Sequence, residues 1–484
     1  MDKAPLERLD SFPYRHRVAE VMQSPLAIAE PGMTLEAAAR RMVDAKVSSL
    51  VMLDASGRAA GIVTERDILR ALAERGPGAA ACSVEGYLST PVHEIRADAF
   101  VYKALGRMTA RRIRHLVAVD PPTRRAVGMV TGRALLKLRV GDTLQLGDRL
   151  DAAKTAADMA AVRAELPGLV RRMLAEGVGA MNAAAVISQV YCDMTRRASE
   201  LAEAAMRDEG RGPAPAPWAV LVLGSGGRGE SLLAPDQDNA IVHAGTGADD
   251  PWYEEVGRRI SDLLDAAGIP YCKGKVMASN SAWRHPLSGW ETEIQRWLGT
   301  PDPQALLMIG IFFDFVPVHG DFALAERLRD FAVDNAAGSR LFLSLLAAQI
   351  EQHRAPLGLL GGFRLKEGRV DLKLGGTLPI VCAARVMALK RASQATSTAA
   401  RLAALRESDA VTQDDLDAMQ ETQRMVTRIV LDQQIEDIDA GIVPGGRVDP
   451  RRLSRATRKA LKQALKILEF LPLIARNMVS DGWR

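Results

Sequence analysis

Apolar and polar positions near the start of the chain follow the same order twice, which predicts an internal repeat over residues 15–139. The segment VAEVMQSPLAI at 18–28 matches VEGYLSTPVHEI at 84–95, with Pro25 aligned to Pro91. After each segment, apolar residues recur at i, i+3, i+4 and i+7, the spacing of an amphipathic helix. These positions are Leu35, Ala38, Ala39 and Met42 in the first copy and Val101, Ala104, Leu105 and Met108 in the second.

Strand-forming runs follow the predicted helix in both copies. Each copy has one apolar run, a turn and then a second short run. The four runs are SSLVMLD (48–54), GIVTERDIL (61–69), RHLVAVD (114–120) and GMVTGRALL (128–136). The pattern therefore predicts two copies of one unit, at residues 15–76 and 82–139.

Apolar residues recur at helical spacing over residues 145–210 and 331–484, and the sequence between these two segments predicts strands. Residues 145–210 predict amphipathic helices that connect two domains, and GRGPAPAP at 210–217 predicts a short, stiff linker. WAVLVL before Gly224 predicts a buried strand, DQDNAIVH a second strand, and the apolar run at 307–321 a third. Residues 331–484 predict a bundle of helices.

The predicted fold class is thus α/β and α+β in several domains, and the composition agrees. The chain has 484 residues, and roughly 100–200 residues per domain suggests about three domains. Hydrophobic residues make up 48% and charged residues 25%, as in ordinary globular proteins. The predicted domains are the repeat pair at 15–140, the helical connector at 145–210, a sheet domain at 217–330 and a helical domain at 331–484.

Charge and cysteine content narrow the functional classes. The chain has 63 basic and 59 acidic residues, a net charge of +4, which gives no global argument for nucleic acid. Its four cysteines are far apart and form no CxxC pair, which disfavours structural zinc and a disulfide framework. The N-terminus has no apolar signal core, and no apolar run approaches the roughly 18 residues of a membrane span. We therefore expect a cytoplasmic protein without a membrane partner.

The segment GSGGRGESLLAPDQDNAIV at 224–242 carries the candidate chemistry. Its glycines allow the backbone to turn tightly and to approach a ligand. Asp236 and Asp238 lie two residues apart on a predicted strand, so their carboxylates share one face and repel each other unless a cation lies between them. Mg²⁺ takes a few carboxylates together with substrate phosphates.

Asp314 is the acid within the apolar run LMIGIFFDFVPV. A lone carboxylate is costly to bury without a partner. A cation shared with Asp236 and Asp238 would supply that partner. The alternative is an edge-strand residue that faces water.

The order of elements in the repeat, with GIVTERD closing the first copy, resembles the cystathionine-β-synthase (CBS) domain. In that family the Thr and Asp of T-x-x-D contact the ribose and phosphate of an adenine nucleotide, which implies this role for Thr64 and Asp67. The second copy retains Thr131 but has Ala134 in place of the Asp, so we expect at most one strong nucleotide site. The resemblance also implies a homodimer formed through the pair. The alternative is a structural or dimerising pair without ligand.

The pattern G-S-x-G-R-x-E-x5-D-x-D resembles the signature of polymerase-β-type nucleotidyltransferases, with the spacing of the uridylyltransferases that modify the PII signalling protein. The resemblance implies that Gly224 and Ser225 hold the triphosphate. It also implies that a third, later carboxylate completes the cation site. The implied cation ligands are Asp236, Asp238 and Asp314, holding two Mg²⁺ ions.

Two basic residues are open to two interpretations each. Arg228 either reaches a phosphate or forms an internal pair with Glu230. Lys373 in DLKLGG is either a phosphate contact from the C-terminal part or a surface lysine.

Three further segments, at 272–284, 312–321 and 368–389, resemble a family of signal-transduction nucleotidyltransferases often found behind CBS domains. This resemblance covers about residues 150–480 and implies a magnesium-dependent transfer of a nucleoside monophosphate from NTP. We expect the acceptor to be a protein or a small molecule and the transfer to be regulated by adenine nucleotides bound to the CBS pair. Val316 stands where an Arg is expected. The alternative is a catalytically inactive regulatory protein that senses nucleotides.

Overall fold

In the computed structural model, contacts between residues divide the chain into two units, 1–144 and 145–484. The structure describes residues 17–99, 101–111, 113–132, 146–299, 303–358, 361–406 and 411–480. The predicted ends of the repeat, at 15–16 and 133–140 with Ala134, lie outside the described residues. The finer predicted division of residues 145–484 into three domains stays a prediction.

The N-terminal unit contains the two predicted copies of one helix-and-strand unit. Its helices are α1 (Val18–Val21), α2 (Leu35–Ala45), α3 (Glu65–Arg75) and α4 (Val101–Arg111). Its strands are β1 (Ser49–Leu53), β2 (Ala59–Thr64), β3 (Glu94–Arg96), β4 (His115–Val119) and β5 (Ala126–Thr131). Short 3-10 helices occupy Gly76–Ala81 and Val84–Tyr87.

Each copy pairs two strands antiparallel, β1 with β2 and β4 with β5. The predicted strand over 61–69 is wrong beyond Thr64, because Glu65 begins the capped helix α3. The first residues of each copy pack against the other copy. Val18 and Val21, from the first copy, lie in the core of the second, whereas Val84, from the second copy, lies in the core of the first. Val51, Val117 and their neighbours form a third core between the two copies. The two copies are therefore one packed module.

The C-terminal unit begins with a helical segment at 146–152 and contains one four-stranded sheet among helices. The helices up to residue 349 are α5 (Ala156–Ala175), α6 (Ala180–Asp208), α7 (Gly224–Gly227), α8 (Asp250–Ala266), α9 (Leu287–Gly299), α10 (Pro303–Phe312), α11 (Phe322–Gly338) and α12 (Arg340–Gln349). The later helices are α13 (Leu378–Lys390), α14 (Thr398–Ala403), α15 (Gln413–Asp439), α16 (Arg455–Ala464) and α17 (Leu471–Ser480). The strands are β6 (Trp218–Val222), β7 (Asn239–His243), β8 (Arg284–Pro286), β9 (Val316–Gly320), β10 (Val370–Asp371) and β11 (Arg447–Val448).

The main sheet has the order β8-β7-β6-β9, and β10 pairs with β11 in a separate two-stranded sheet. β6 is antiparallel to both β7 and β9, and β7 is parallel to β8. Alternate residues of β6 and β7 enter two different cores, as the strand period of two requires. Ala219 and Leu221 pack against the C-terminal helices, and Val220 and Ile241 pack against α5, α6 and α8. The predicted connector helices therefore cover one face of the sheet.

The prediction of a continuous strand over 307–321 is wrong. Pro303–Phe312 forms α10, residues 313 and 314 form a turn, and the strand β9 begins at Val316. An apolar run buried on all sides has no period that separates a helix from a strand. Ile309 and Phe312 of α10 are fully buried. Among the described residues, no helix is long and apolar enough to cross a membrane.

Candidate active site

The glycine loop, residues 224–229, connects β6 to the segment that carries the two aspartates. Leu223 N–H donates to the carbonyl oxygen of Asp238 at 2.9 Å, which holds the start of the loop beside that residue. Gly224 has φ +55°, and a Cβ atom there would lie 2.8 Å from Asp238 Oδ2. Only glycine satisfies both the backbone angle and this close approach. The loop and the Asp238 carboxylate are thus in direct contact.

Asp236 and Asp238 immediately precede β7 and meet a third donor that the sequence analysis did not assign. Oxygens of both carboxylates and Cys272 Sγ lie within 4.8 Å of one another. Ser225, Asp236 and Asp238 also line one small cavity of about 30 Å³. Burial and the neighbouring Asp236 charge raise the pKa of Asp238 well above its usual range. A divalent cation would offset that repulsion, so the donor set fits such an ion.

Lys373 approaches the same site from the C-terminal helical region, where Lys373–Thr377 forms a π-helix. Its positive charge lowers the pKa of Asp238, against the larger effects of burial and Asp236. Lys373 N–H donates to the carbonyl oxygen of Gly446 at 3.3 Å, and its side chain is exposed. The charge of Lys373 therefore acts on the Asp238 carboxylate.

Gln434, on α15, contacts both sides of this arrangement. Its Oε1 accepts a hydrogen bond from Leu233 N–H at 2.9 Å, and its Nε2 donates to the carbonyl oxygen of Gly445 at 3.0 Å. The side chain is buried. It therefore connects the chain between the glycine loop and the aspartates to the segment beside Lys373. Sequence reasoning missed Gln434, because a glutamine in an amphipathic helix carries no local signal.

Arg228 forms internal ion pairs, including the pair with Glu230 that one of its two predicted interpretations names. Its Nε lies 2.8 Å from Glu230 Oε2 and its Nη1 2.5 Å from Asp314 Oδ2. Burial alone would lower the pKa of Arg228, but the Asp314 and Glu230 charges outweigh it and raise the pKa. Glu230 also accepts a hydrogen bond from Thr398 N–H at 2.8 Å. The glycine loop is thereby fixed to the start of α14.

Asp314 lies at the centre of an arginine cage formed by Arg228, Arg385 and Arg401. Arg385 donates to both carboxylate oxygens, at 3.1 and 2.6 Å, and Arg401 Nη1 lies 2.7 Å from Oδ1. Asp314 is fully buried. Burial by itself would raise the pKa of Asp314, but the charges of Arg385, Arg401 and Arg228 hold it below the usual range.

The cage corrects the sequence-based account of Asp314. A buried carboxylate does need a partner of opposite charge, as predicted, but here three guanidinium groups are that partner and not a metal ion. Among the described residues, the group of possible metal donors contains Asp236, Asp238 and Cys272. The arrangement therefore does not support a metal-ligand role for Asp314. Sequence reasoning also missed Arg385, although a lone basic residue in the apolar helix LPIVCAARVMAL signals a buried charge.

A second candidate site lies in the N-terminal unit, where a cavity of about 810 Å³ is lined by Thr64, Asp67 and Thr131. The structure therefore brings together all three residues predicted to contact an adenine nucleotide. His115 lines the same cavity, and its Nε2 lies 3.0 Å from Ser48 Oγ. Burial lowers the pKa of His115.

Asp67 also has a local role in the structure. Its Oδ2 accepts hydrogen bonds from Thr64 N–H at 2.9 Å and from Thr64 Oγ1 at 2.7 Å, closing a capping box at the start of α3. Its Oδ1 lies 2.7 Å from Arg70 Nη2. Both carboxylate oxygens of Asp67 therefore already have partners within the protein at the edge of the cavity.

Comparison with known families matches four segments of the chain. Residues 164–304 match the family described as "Putative nucleotidyltransferase DUF294". Residues 340–476 match the "Putative nucleotidyltransferase substrate binding domain". Residues 18–74 and 84–141 each match the CBS domain.

Two curated proteins are similar to parts of the chain. An uncharacterized 17.7 kDa protein of Acidianus ambivalens is 30% identical over 142 residues, which are 28% of this chain and 82% of that protein. A homoserine O-acetyltransferase of Methanohalobium evestigatum is 26% identical over 130 residues, 27% of this chain and 25% of that protein. The chain thus spans a quarter of the length of the second relative.

Solved CBS structures are similar to about a quarter of the chain. A CBS domain protein from Pyrobaculum aerophilum complexed with AMP is 25% identical, with coverage of 26% of this chain and 99% of that chain and a TM-score of 0.23. The CBS domain pair of protein MJ0100, in complex with 5′-methylthioadenosine and S-adenosyl-L-methionine, is 25% identical. The match covers 26% of this chain and 97% of the solved chain, with a TM-score of 0.24.

Proposed function

Because the chain belongs to the family of CBS-domain-containing nucleotidyltransferases described as DUF294, we propose that it transfers a nucleoside monophosphate from a nucleoside triphosphate to an acceptor. The observation that carries the proposal is the contact between the glycine loop and the aspartate pair. Gly224 approaches Asp238 so closely that a Cβ atom would lie 2.8 Å from its carboxylate. Phosphates bound by the loop would therefore lie next to the carboxylates.

The residues of this site divide the work of the transfer. Amide groups at the first turn of α7 lack intrahelical acceptors and are available to phosphate oxygens, together with Ser225 Oγ. Lys373 adds positive charge that acts on Asp238 and would contact a phosphate. Asp236 and Asp238 would hold the divalent cation, Mg²⁺ by the sequence-based expectation. That cation would neutralise charge on the transferred phosphoryl group.

The arginine cage would act on this chemistry by positioning the glycine loop. Arg228 belongs to the loop, and its pairs with Asp314 and Glu230 fix the loop to the C-terminal helices. The C-terminal region would therefore determine the loop's position as well as the acceptor site. The acceptor is a protein or a small molecule.

The experiment that tests the proposal is a transfer assay with α-labelled ATP, UTP, CTP and GTP, Mg²⁺ and cell extract as the source of acceptor. We expect label transfer from at least one triphosphate. Asp236→Asn and Asp238→Asn should each abolish it, because the cation loses a charged ligand. Asp334→Asn, on the exposed surface of α11, is the matched control and should retain full activity.

The alternative function, a nucleotide-sensing regulatory protein without transfer, is favoured by one observation. The third donor beside the aspartate pair is a thiol, whereas the resemblance implies a carboxylate. Nucleotide binding without label transfer under any of these conditions would support this alternative.

The proposal includes regulation by an adenine nucleotide in the 810 Å³ cavity of the CBS pair. Calorimetry on the full chain carrying Asp236→Asn and Asp238→Asn would separate this site from the catalytic site. We expect AMP, ADP or ATP to bind this variant. No heat at millimolar ligand would leave the pair as a scaffold, and dimerisation through the pair stays a prediction.

A further inference from the structure

Cys272 is held beside the aspartate pair by the backbone. The segment that contains it runs along the start of β7, where Gln237 N–H donates to the carbonyl oxygen of Pro270 and Asn239 N–H to that of Val276, each at 3.1 Å. Lys275 N–H donates to the carbonyl oxygen of Cys272 at 2.9 Å and closes a turn there. The backbone at Cys272 is therefore fixed in place independently of any ligand.

The donor set differs in chemistry from a carboxylate-only magnesium site. Thiolate sulfur is a soft ligand that selects zinc-like ions, whereas Mg²⁺ prefers hard oxygen ligands in octahedral geometry. Two carboxylates and one thiolate also match the count of protein ligands in catalytic zinc sites, which keep the fourth position open. Adjacent donors of a tetrahedral zinc site lie about 3.5 Å apart, so donors within 4.8 Å of one another need to approach by at most about 1.3 Å.

We propose that Asp236, Asp238 and Cys272 form a binding site for a thiophilic divalent cation of the zinc class, which competes with Mg²⁺ for the two carboxylates. Binding moves the thiol proton to solvent and forms a metal–sulfur bond. The competition with Mg²⁺ rests on the proposed function, but the binding of the thiophilic ion does not. The ion would block the nucleotide's cation position and so inhibit transfer.

Co²⁺ tests the proposal directly, because a cobalt–thiolate bond produces a sulfur-to-metal charge-transfer band in the near ultraviolet. We expect the full chain, without nucleotide, to show this band and to saturate at one Co²⁺ per chain. Zn²⁺ should abolish the band at stoichiometric amounts, and Mg²⁺ should not at a hundredfold excess.

Cys272→Ser should lose the band and weaken Co²⁺ binding at least about tenfold. Cys192→Ser is the matched control, because Cys192 is a partly buried thiol on α6 that is not part of the donor group. It should leave the band unchanged. Circular dichroism of Cys272→Ser and Cys272→Ala would show that each variant is folded.

The proposal is overturned if Co²⁺ binds without a charge-transfer band or binds Cys272→Ser as tightly as the original chain. Failure of the proposed function is a separate result. Label transfer would then be absent with Mg²⁺ while the Co²⁺ band is present. If label is transferred with Mg²⁺ and the Co²⁺ band is also present, Zn²⁺ should inhibit transfer by the original chain more strongly than by Cys272→Ser.

Discussion

At the scale of single residues, two fully buried titratable side chains define what the fold requires. Asp314 supplies the charge that three buried arginines share. His243 is the last residue of β7, and its ring stacks on that of Tyr253, with 3.9 Å between the centroids. Neither of its ring nitrogens has a hydrogen-bond partner among the described residues. The fold therefore requires a charged side chain at Asp314 and a neutral side chain at His243.

Asp314→Asn should lower the free energy of unfolding by about 3–5 kcal/mol, because the buried guanidinium groups of Arg385 and Arg401 lose their counter-charge and Arg228 keeps only its pair with Glu230. Denaturation followed by circular dichroism measures the change. Asp417→Asn, which removes an exposed pair with Arg406, should cost less than about 1 kcal/mol. An Asp314→Asn variant of unchanged stability that has lost its affinity for Mg²⁺ would instead favour the cation-ligand role.

His243 should make the protein less stable in acid. Burial lowers the pKa of His243 from its ordinary value of 6.5 to about 4, so the fold holds the neutral form. Its contribution is complete above pH 6.5 and is lost as the pH falls toward 4. A pKa difference of that size corresponds to about 3 kcal/mol. In His243→Phe, stability should decline less over this pH range, and an identical decline would contradict the assignment.

At the scale of elements, the glycine loop depends on close backbone contacts. A Cβ atom at Gly227 would overlap the carbonyl oxygen of Asp314 and lie 2.7 Å from that of Val222. The turn that precedes β9 therefore packs directly against α7. This contact places Asp314, at the centre of the arginine cage, directly against the glycine loop.

Gly227→Ala should destabilise the protein by about 1–3 kcal/mol or more, because backbone atoms have to move apart. Thermal unfolding measures the effect. Gly168→Ala is the control, since its Cβ atom would meet Arg172 Nη1 at an ordinary 3.6 Å. That change should stabilise α5 by about 0.5–1 kcal/mol. Equal melting temperatures for the two variants would refute the packing argument.

The sequence predicted the elements whose periodicity is clear and the residues whose spacing carries chemistry. The repeat, the helices α2 and α4 and the strands that pair within each copy could be predicted, because local periodicity determines them. The meeting of the glycine loop with Asp236 and Asp238 was implied by the family resemblance of the motif. The helix α10 could not be predicted, since its run LLMIGIFF contains no polar residue that would mark a helical period. Cys272 and the arginine cage were missed because their contacts join positions up to 87 residues apart.

At the scale of the whole C-terminal unit, helices on both faces of one sheet meet at the candidate site, beside the ends of β6 and β7. The connector helices α5 and α6 cover one face, and the C-terminal helices cover the other. The C-terminal helical region supplies Lys373, Gln434 and two members of the arginine cage. The matched nucleotidyltransferase and substrate binding segments therefore build the site together.

Gln434→Leu should raise KM for the triphosphate more than it lowers kcat, because the glycine loop and the Lys373 segment lose their shared contact. It should also cost about 1–3 kcal/mol, since Leu233 N–H is left buried without an acceptor. Steady-state kinetics and denaturation measure the two effects. Gln420→Leu, on the same helix, is the control. A loss of stability with unchanged KM would limit Gln434 to a structural role.

The most direct test of the central claim is transfer of an α-labelled nucleoside monophosphate to an acceptor in cell extract. The account predicts covalent label with the original chain and Mg²⁺, no label with Asp236→Asn or Asp238→Asn, and unchanged label with Asp334→Asn. Persistent labelling by both aspartate variants, or none by the original chain with any of the four triphosphates, would contradict it.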